Sequence, residues 1–311
     1  MKLAMVFPGQ GSQSVGMLTA YGSLPGVAEV RAEAEQALGG EFLRLLDEGP
    51  GEQLSLTVNT QPAMLTAGIA AYRAWIARGG PEPALVAGHS LGEYSALVAA
   101  GALTLAQALP LVRFRAQCMQ EAVPEGVGAM AAILNLDDDA VRAACAEAAQ
   151  GEVVQAVNFN APGQVVIAGH RSAVTRAIEA CKAKGAKRAL PLPVSAPFHS
   201  ALMRSAAERL RGYLDAVALA VPRIALVNNV DVSEERDAAR IKDALVRQAA
   251  SPVRWVETIR YLAQRGVTHV VECGPGKVLA GLVKRIDGSL QGLALADAAS
   301  LDLALAAVKG A

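Results

Sequence analysis

Residues 84–97 read Ala84-Leu85-Val86-Ala87-Gly88-His89-Ser90-Leu91-Gly92-Glu93-Tyr94-Ser95-Ala96-Leu97, an apolar run that breaks at a glycine-flanked serine and resumes with helical character. Its centre fits the G-x-S-x-G pattern. A serine at such a strand-to-helix turn takes strained dihedrals, and side chains at the two glycine positions would clash there. The turn lifts the hydroxyl above the sheet and points the backbone N–H of Leu91 toward the oxygen of an attacked carbonyl. Ser90 is the candidate nucleophile, with an ordinary strand–helix turn as the bland alternative.

Two other places repeat the rhythm. Leu3–Phe7 leads into Pro8-Gly9-Gln10-Gly11, and Val267–Glu272 leads into Gly274-Pro275-Gly276. Continuous apolar strands followed by helices indicate an α/β fold with a parallel sheet covered on both faces. Ligands gather at the carboxyl ends of such strands, so all three glycine turns should border the site. From about Gly126 to Val194 the pattern changes to β-α-β-β-α-β, with Asp137 as a plausible N-cap and Asn160-Ala161-Pro162-Gly163 as a turn. That order is ferredoxin-like. We expect a small subdomain at 126–195 inserted into a large α/β domain made of 1–125 and 196–311, with a ligand groove between them.

Composition removes several function classes. In 311 residues the formal charge is zero and aromatics are 4%, which argues against a nucleic-acid partner. The most apolar long stretch, 84–112, is interrupted by His89, Ser90, Glu93 and Pro110, so no membrane span is expected. The four cysteines form no C-x-x-C pair, so neither a disulfide framework nor a metal site is predicted. A cytoplasmic protein is the expectation.

A nucleophilic serine needs a base. His89 adjoins Ser90 and should point away from it; His170 lies at a strand end of the small subdomain, and His269 in an apolar run. His199, in Pro197-Phe198-His199-Ser200, stands where the chain leaves the subdomain and a helix begins, a position that favours the neutral ring. It is the candidate base, with a capping or packing role as the alternative. In the order Ser…acid…His, no acid between Ser90 and His199 stands at the end of a predicted core strand, which points to a Ser–His dyad oriented by an amide or backbone carbonyl. Across Leu105–Ala122, Arg115 has Leu111, Cys118, Met119 and Ala122 at helical spacing. A guanidinium on such a stripe needs a partner, either a protein carboxylate or the carboxylate of a bound acyl group.

Taken together, these residues resemble the malonyl-CoA:acyl carrier protein transacylase family across essentially the whole chain. The matching stretches are residues 7–13 (FPGQGSQ), 88–97 (GHSLGEYSAL), Asn158-Phe159-Asn160 with Pro162-Gly163-Gln164, and Pro197-Phe198-His199-Ser200. Asn228-Asn229, Gln248 with Pro252-Val253 and Trp255, and residues 272–279 (ECGPGKVL) complete the set. The resemblance implies an α/β-hydrolase-like core with a ferredoxin-like insert. It also implies ping-pong transfer of malonyl from malonyl-CoA to the phosphopantetheine thiol of acyl carrier protein, supplying fatty acid synthesis with no bound cofactor or metal.

In that reading the N–H groups of Gln10 and Leu91 form the oxyanion hole, Arg115 holds the malonyl carboxylate, and the carbonyl of Gln248 orients His199. Asn160 borders the acyl pocket, and Phe198 narrows it against an α-methyl branch. An acidic carrier protein could dock on Lys182, Lys184, Lys187 and Arg188, or on Lys284 and Arg285, and a monomer is expected. The rival readings are a serine thioesterase or esterase, a malonyl loader of a malonate decarboxylase or polyketide pathway, and a nucleotide-binding protein using Gly9-x-Gly11. In the last, Ser14 stands where the third glycine should be.

Overall fold

The computed structural model describes residues 1–194 and 196–310, so the termini of the two expected domains at Ser195 and Ala311 lie outside the described residues. Two sheets are formed. The strands are β1 (Leu3–Phe7), β2 (Leu85–Gly88), β3 (Gly128–Leu134), β4 (Val154–Ala161), β5 (Gln164–His170), β6 (Arg188–Pro191), β7 (Ala225–Val227), β8 (Glu234–Glu235), β9 (His269–Cys273) and β10 (Gln291–Leu295).

The larger sheet runs β10-β9-β1-β2-β7-β8, parallel except for β8, which pairs antiparallel with β7. Every residue of β1, β2 and β9 is buried, as expected for a sheet covered on both sides. One side carries a core cluster that includes Met5, Phe7 and Trp75; the other carries Val6, Ala87, Trp255 and Val283. In register, Phe7 stands opposite Gly88, and the His89 N–H continues the ladder to the Phe7 carbonyl at 2.9 Å. The turns after β1 and β2 are thereby held side by side. This is the α/β-hydrolase-like parallel-sheet core.

The smaller sheet runs β4-β5-β3-β6 and is antiparallel throughout. Together with helices Asp138–Ala149 and Arg171–Ala183 it makes the ferredoxin-like insert. The Asp137 carboxylate caps the first of these helices by accepting from the Asp139 N–H at 2.9 Å. The insert has its own apolar cluster, with Ile133, Val141, Val165 and Ile167 at its centre.

The expected turn at Asn160–Gly163 is shorter than its sequence suggests. Pairing of β4 with β5 continues to Ala161 opposite Gln164, leaving only Pro162-Gly163 to reverse the chain, with Gly163 at φ 68°. Strand β4 is also stitched to the larger unit. The Phe159 N–H donates to the Val253 carbonyl at 3.0 Å, and the Val253 N–H donates to that of Val157 at 2.8 Å. Among the described residues no helix is long and apolar enough to cross a membrane.

Candidate active site

The glycine-flanked serine sits between the end of β2 and helix Gly92–Ala99. Ser90 takes φ 53°, a strained value for a residue with a side chain. Both glycines are sterically required. A Cβ on Gly88 would stand 1.8 Å from the Gly92 carbonyl carbon, and one on Gly92 would stand 2.0 Å from the Phe7 oxygen. The strained turn is clasped by Asn229, whose Oδ1 accepts from the Ser90 N–H at 2.8 Å while its Nδ2 donates to the Gly88 carbonyl at 2.6 Å.

The Ser90 Oγ lies 2.7 Å from His199 Nε2, and His199 Nδ1 lies 2.9 Å from the Gln248 carbonyl oxygen. A carbonyl can only accept, so the proton resides on Nδ1 and the Nε2 lone pair faces the hydroxyl. Among the described residues no carboxylate orients this ring. His199 itself is at φ 65° and is followed by a 3₁₀ turn at Ala201–Met203 before helix Arg204–Asp215 begins. The neutral ring therefore has a different cause from the helix terminus expected from sequence. Burial pushes its pKa from 6.5 down to about 3, and the nearby Arg115 charge acts in the same direction. The expected result is that the His199 ring NMR signals remain those of neutral imidazole between pH 8 and pH 5. With four histidines in the chain, assignment by a His199 variant is direct; titration near 6.5 would refute the assignment of cause.

Arg115 projects from helix Leu105–Glu121 and is 1% exposed. Its Nη1 donates to Gln61 Oε1 at 2.8 Å, and its Nη2 donates to Gln248 Oε1 at 2.9 Å and to Ser90 Oγ at 3.2 Å. Its Nε has no partner, and it makes no ion pair among the described residues. The guanidinium is thus held by neutral amide oxygens beside the serine hydroxyl, with its charge directly uncompensated. Such an arrangement favours an anionic ligand.

A cavity of about 140 Å³ opens at this point, with Gln10, Gln61, Ser90, Arg115, Phe198 and His199 in its wall. Phe198 is nearly buried there. The Gln10 side chain donates to Thr57 Oγ1 and accepts from Gln61 Nε2, both at 3.3 Å. The backbone N–H groups of Gln10 and Leu91 have no protein acceptor among the described residues. The third glycine turn is not in the wall. Gly274 and Gly276 instead abut Pro8 and Ser12, buttressing the turn after β1.

Asn160 stands behind the cavity wall, against His89, which lines it. It is absent from the cavity wall, and its Oδ1 accepts from His89 Nε2 at 2.8 Å; Asn158 lines the cavity instead. Irregular pairing at Ala156/Asn158 and Phe159/Ala161 shifts the strand, so alternation along β4 does not predict which asparagine faces the site. His89 packs edge-on against Trp255, with ring centroids 5.5 Å apart. His170 and His269 lie away from the cavity, accepting from the Val153 N–H and contacting Thr268 respectively. Among the described residues no cluster of metal-ligating side chains occurs, and all four cysteines are buried thiols.

Sequence reading missed Gln61 and Glu93. Gln61 sits on the wholly buried stretch Thr60–Ala71, and a polar residue on an apolar stripe was the available signal. Of the candidate docking cations, Lys182 pairs with Glu179, Lys184 with Glu147, and Arg285 donates to Gln164 at 3.0 Å, while Lys187, Arg188 and Lys284 are exposed.

An acyl transferase domain model matches residues 4–298. The malonyl CoA-acyl carrier protein transacylase of Salmonella typhimurium is 56% identical over 305 residues, covering 98% of this chain and 99% of that protein. The crystal structure of an acyl-carrier-protein S-malonyltransferase from Burkholderia pseudomallei superposes with a TM-score of 0.96 at 63% identity, covering 98% of this chain and 100% of the other. A malonyl-transacylase solved in complex with its type II PKS acyl-carrier protein superposes with a TM-score of 0.96 at 52% identity, covering 99% and 100%. Fold, full-length identity and the acyl transferase match agree: the chain is an acyltransferase and belongs to the malonyl CoA-acyl carrier protein transacylase family.

Proposed function

We propose that the protein transfers malonyl from malonyl-CoA to the phosphopantetheine thiol of an acyl carrier protein in fatty acid synthesis, through a malonyl ester on Ser90. The observation that carries this reading is a single constellation: a serine hydroxyl bonded to a neutral imidazole with a carboxylate-free guanidinium at 3.2 Å. His199 Nε2 takes the hydroxyl proton as Oγ attacks the thioester carbonyl, and the Gln10 and Leu91 N–H groups receive the resulting oxyanion. Collapse expels the coenzyme A thiolate, which recovers the proton from His199. The pantetheine thiol then gives its proton to His199, attacks the ester, and restores Ser90.

Arg115 holds the free carboxylate throughout, and Phe198 limits the width of the pocket beside it. No cofactor enters these steps. The insert at 126–195 is read as a separate small subdomain, on the strength of its own sheet and core, resting on a catalytic domain of 1–125 and 196–311. A cytoplasmic monomer served by coenzyme A thioesters and carrier protein fits this role. The deciding experiment is intact mass after mixing with malonyl-CoA: a malonyl adduct mapped to Ser90 is expected, and rapid release of free malonate without an adduct would favour a thioesterase.

A further inference from the structure

Glu93 lies one helical turn beyond the nucleophile and is 1% exposed, yet the steps above do not use it. Its Oε2 accepts from Gln248 Nε2 at 2.9 Å and from the Asn229 N–H at 3.0 Å. Both partners belong to the machinery around Ser90. Asn229 clasps the Ser90 N–H and the Gly88 carbonyl. Gln248 offers its main-chain oxygen to His199, its Oε1 to Arg115, and its Nε2 to the Ser90 carbonyl at 2.9 Å as well as to Glu93.

An amide has one acceptor end and one donor end. With Glu93 and the Ser90 carbonyl both demanding the donor end, the acceptor end of Gln248 is fixed toward the guanidinium. Arg115, Gln248 and Glu93 therefore form a relay of alternating donor and acceptor, with a cation at one end and a carboxyl at the other. Such buried relays polarise along their length and are costly to leave half-made.

We propose that Glu93 is a positioning residue for acyl selection, setting Arg115 through the Gln248 amide and the Ser90 turn through Asn229. It keeps its own carboxyl out of direct contact with the guanidinium, with the Gln248 amide between them. A direct Arg–carboxylate pair would occupy the fork that an incoming malonyl carboxylate needs. One intervening amide leaves it open. This inference rests on the malonyl-transfer reading above.

The test compares Glu93→Ala and Glu93→Gln with the parent protein. The readouts are the rates of Ser90 acylation by malonyl-CoA and acetyl-CoA, followed by intact mass, together with thermal unfolding. Loss of a buried acceptor shared by two donors should slow malonyl loading in Glu93→Ala by roughly tenfold to a hundredfold, with a smaller loss for acetyl, which has no use for Arg115. Glu93→Gln retains an oxygen able to accept both bonds and should restore most malonyl loading and the malonyl-over-acetyl preference.

The proposal is overturned if Glu93→Ala loads malonyl at the parent rate. It is also overturned if malonyl and acetyl loading fall in equal proportion in both variants along with the unfolding midpoint, the mark of a purely structural carboxyl. Should Glu93→Ala not fold, the acyl preference of Glu93→Gln decides alone: retained, it supports the relay; lost, it overturns it. A parent protein that forms no malonyl-Ser90 would instead sink the malonyl-transfer reading, so the two failures are distinguishable.

Discussion

Ser90→Ala is expected to abolish the malonyl-enzyme and to lower malonyl transfer to carrier protein by a factor on the order of a million, the loss seen when a serine nucleophile is removed from a base-activated site. His199→Ala should cost nearly as much, and the double variant little more, because the two groups act as one unit. The geometry supports this steep dependence. The hydroxyl is 2.7 Å from the only nitrogen positioned to take its proton among the described residues, and the ring is locked in the required tautomer by the Gln248 carbonyl. Steady-state transfer and intact mass of each variant check it. An adduct that persists in Ser90→Ala would move the nucleophile elsewhere and undo the mechanism.

Arg115→Ala is expected to reduce malonyl transfer by roughly a hundredfold to a thousandfold, the scale at which breaking a buried ionic contact is felt. Acetyl transfer should survive far better. The contrast matters more than either number, because truncation also strands the Gln61 and Gln248 amide oxygens that now accept from the guanidinium. General damage to the site would depress both acyl groups alike; loss of a carboxylate clamp would depress only one. Competition between malonyl-CoA and acetyl-CoA for Ser90 reads the ratio directly, and an unchanged ratio removes the clamp. The clamp also bears on hydrolysis. An acyl chain tethered at its far end stays in one pose, open to a docked thiol, and a tethered malonyl-enzyme should release free malonate more slowly than an acetyl-enzyme releases acetate.

Much of this was legible in the sequence, for identifiable physical reasons. β1 and β2 are short, wholly apolar and followed by glycine, and the parallel core follows from them. The insert was readable because its six elements alternate period and length. Arg115 betrayed itself by spacing alone, since one helix face carries it among apolar neighbours. What escaped were contacts made at long range. Glu93 lies in plain view at the start of a helix, but its two partners are 136 and 155 residues away. Gln61 meets Arg115 across 54 residues. Asn160, placed near the pocket by resemblance, reaches it only through His89, and the irregularities in β4 that bring Asn158 to the wall have no signature in the residues that form them. The His199 terminus argument named a different cause for a neutral ring from the one the fold supplies, enclosure, and no linear pattern reports enclosure.

The two main-chain bonds that fasten β4 to Val253 anchor one wall of the cavity beside Ser90. Asn158 of that wall stands between the two bonded residues Val157 and Phe159, so displacing it means rupturing peptide hydrogen bonds. Under the proposed malonyl transfer, acyl chains would be selected by fit to this wall and by the Arg115 charge. Leu192 and Val194, on the segment that leaves the insert, line the same cavity, so a broader bore is to be sought by shaving those side chains rather than by parting β4 from Val253.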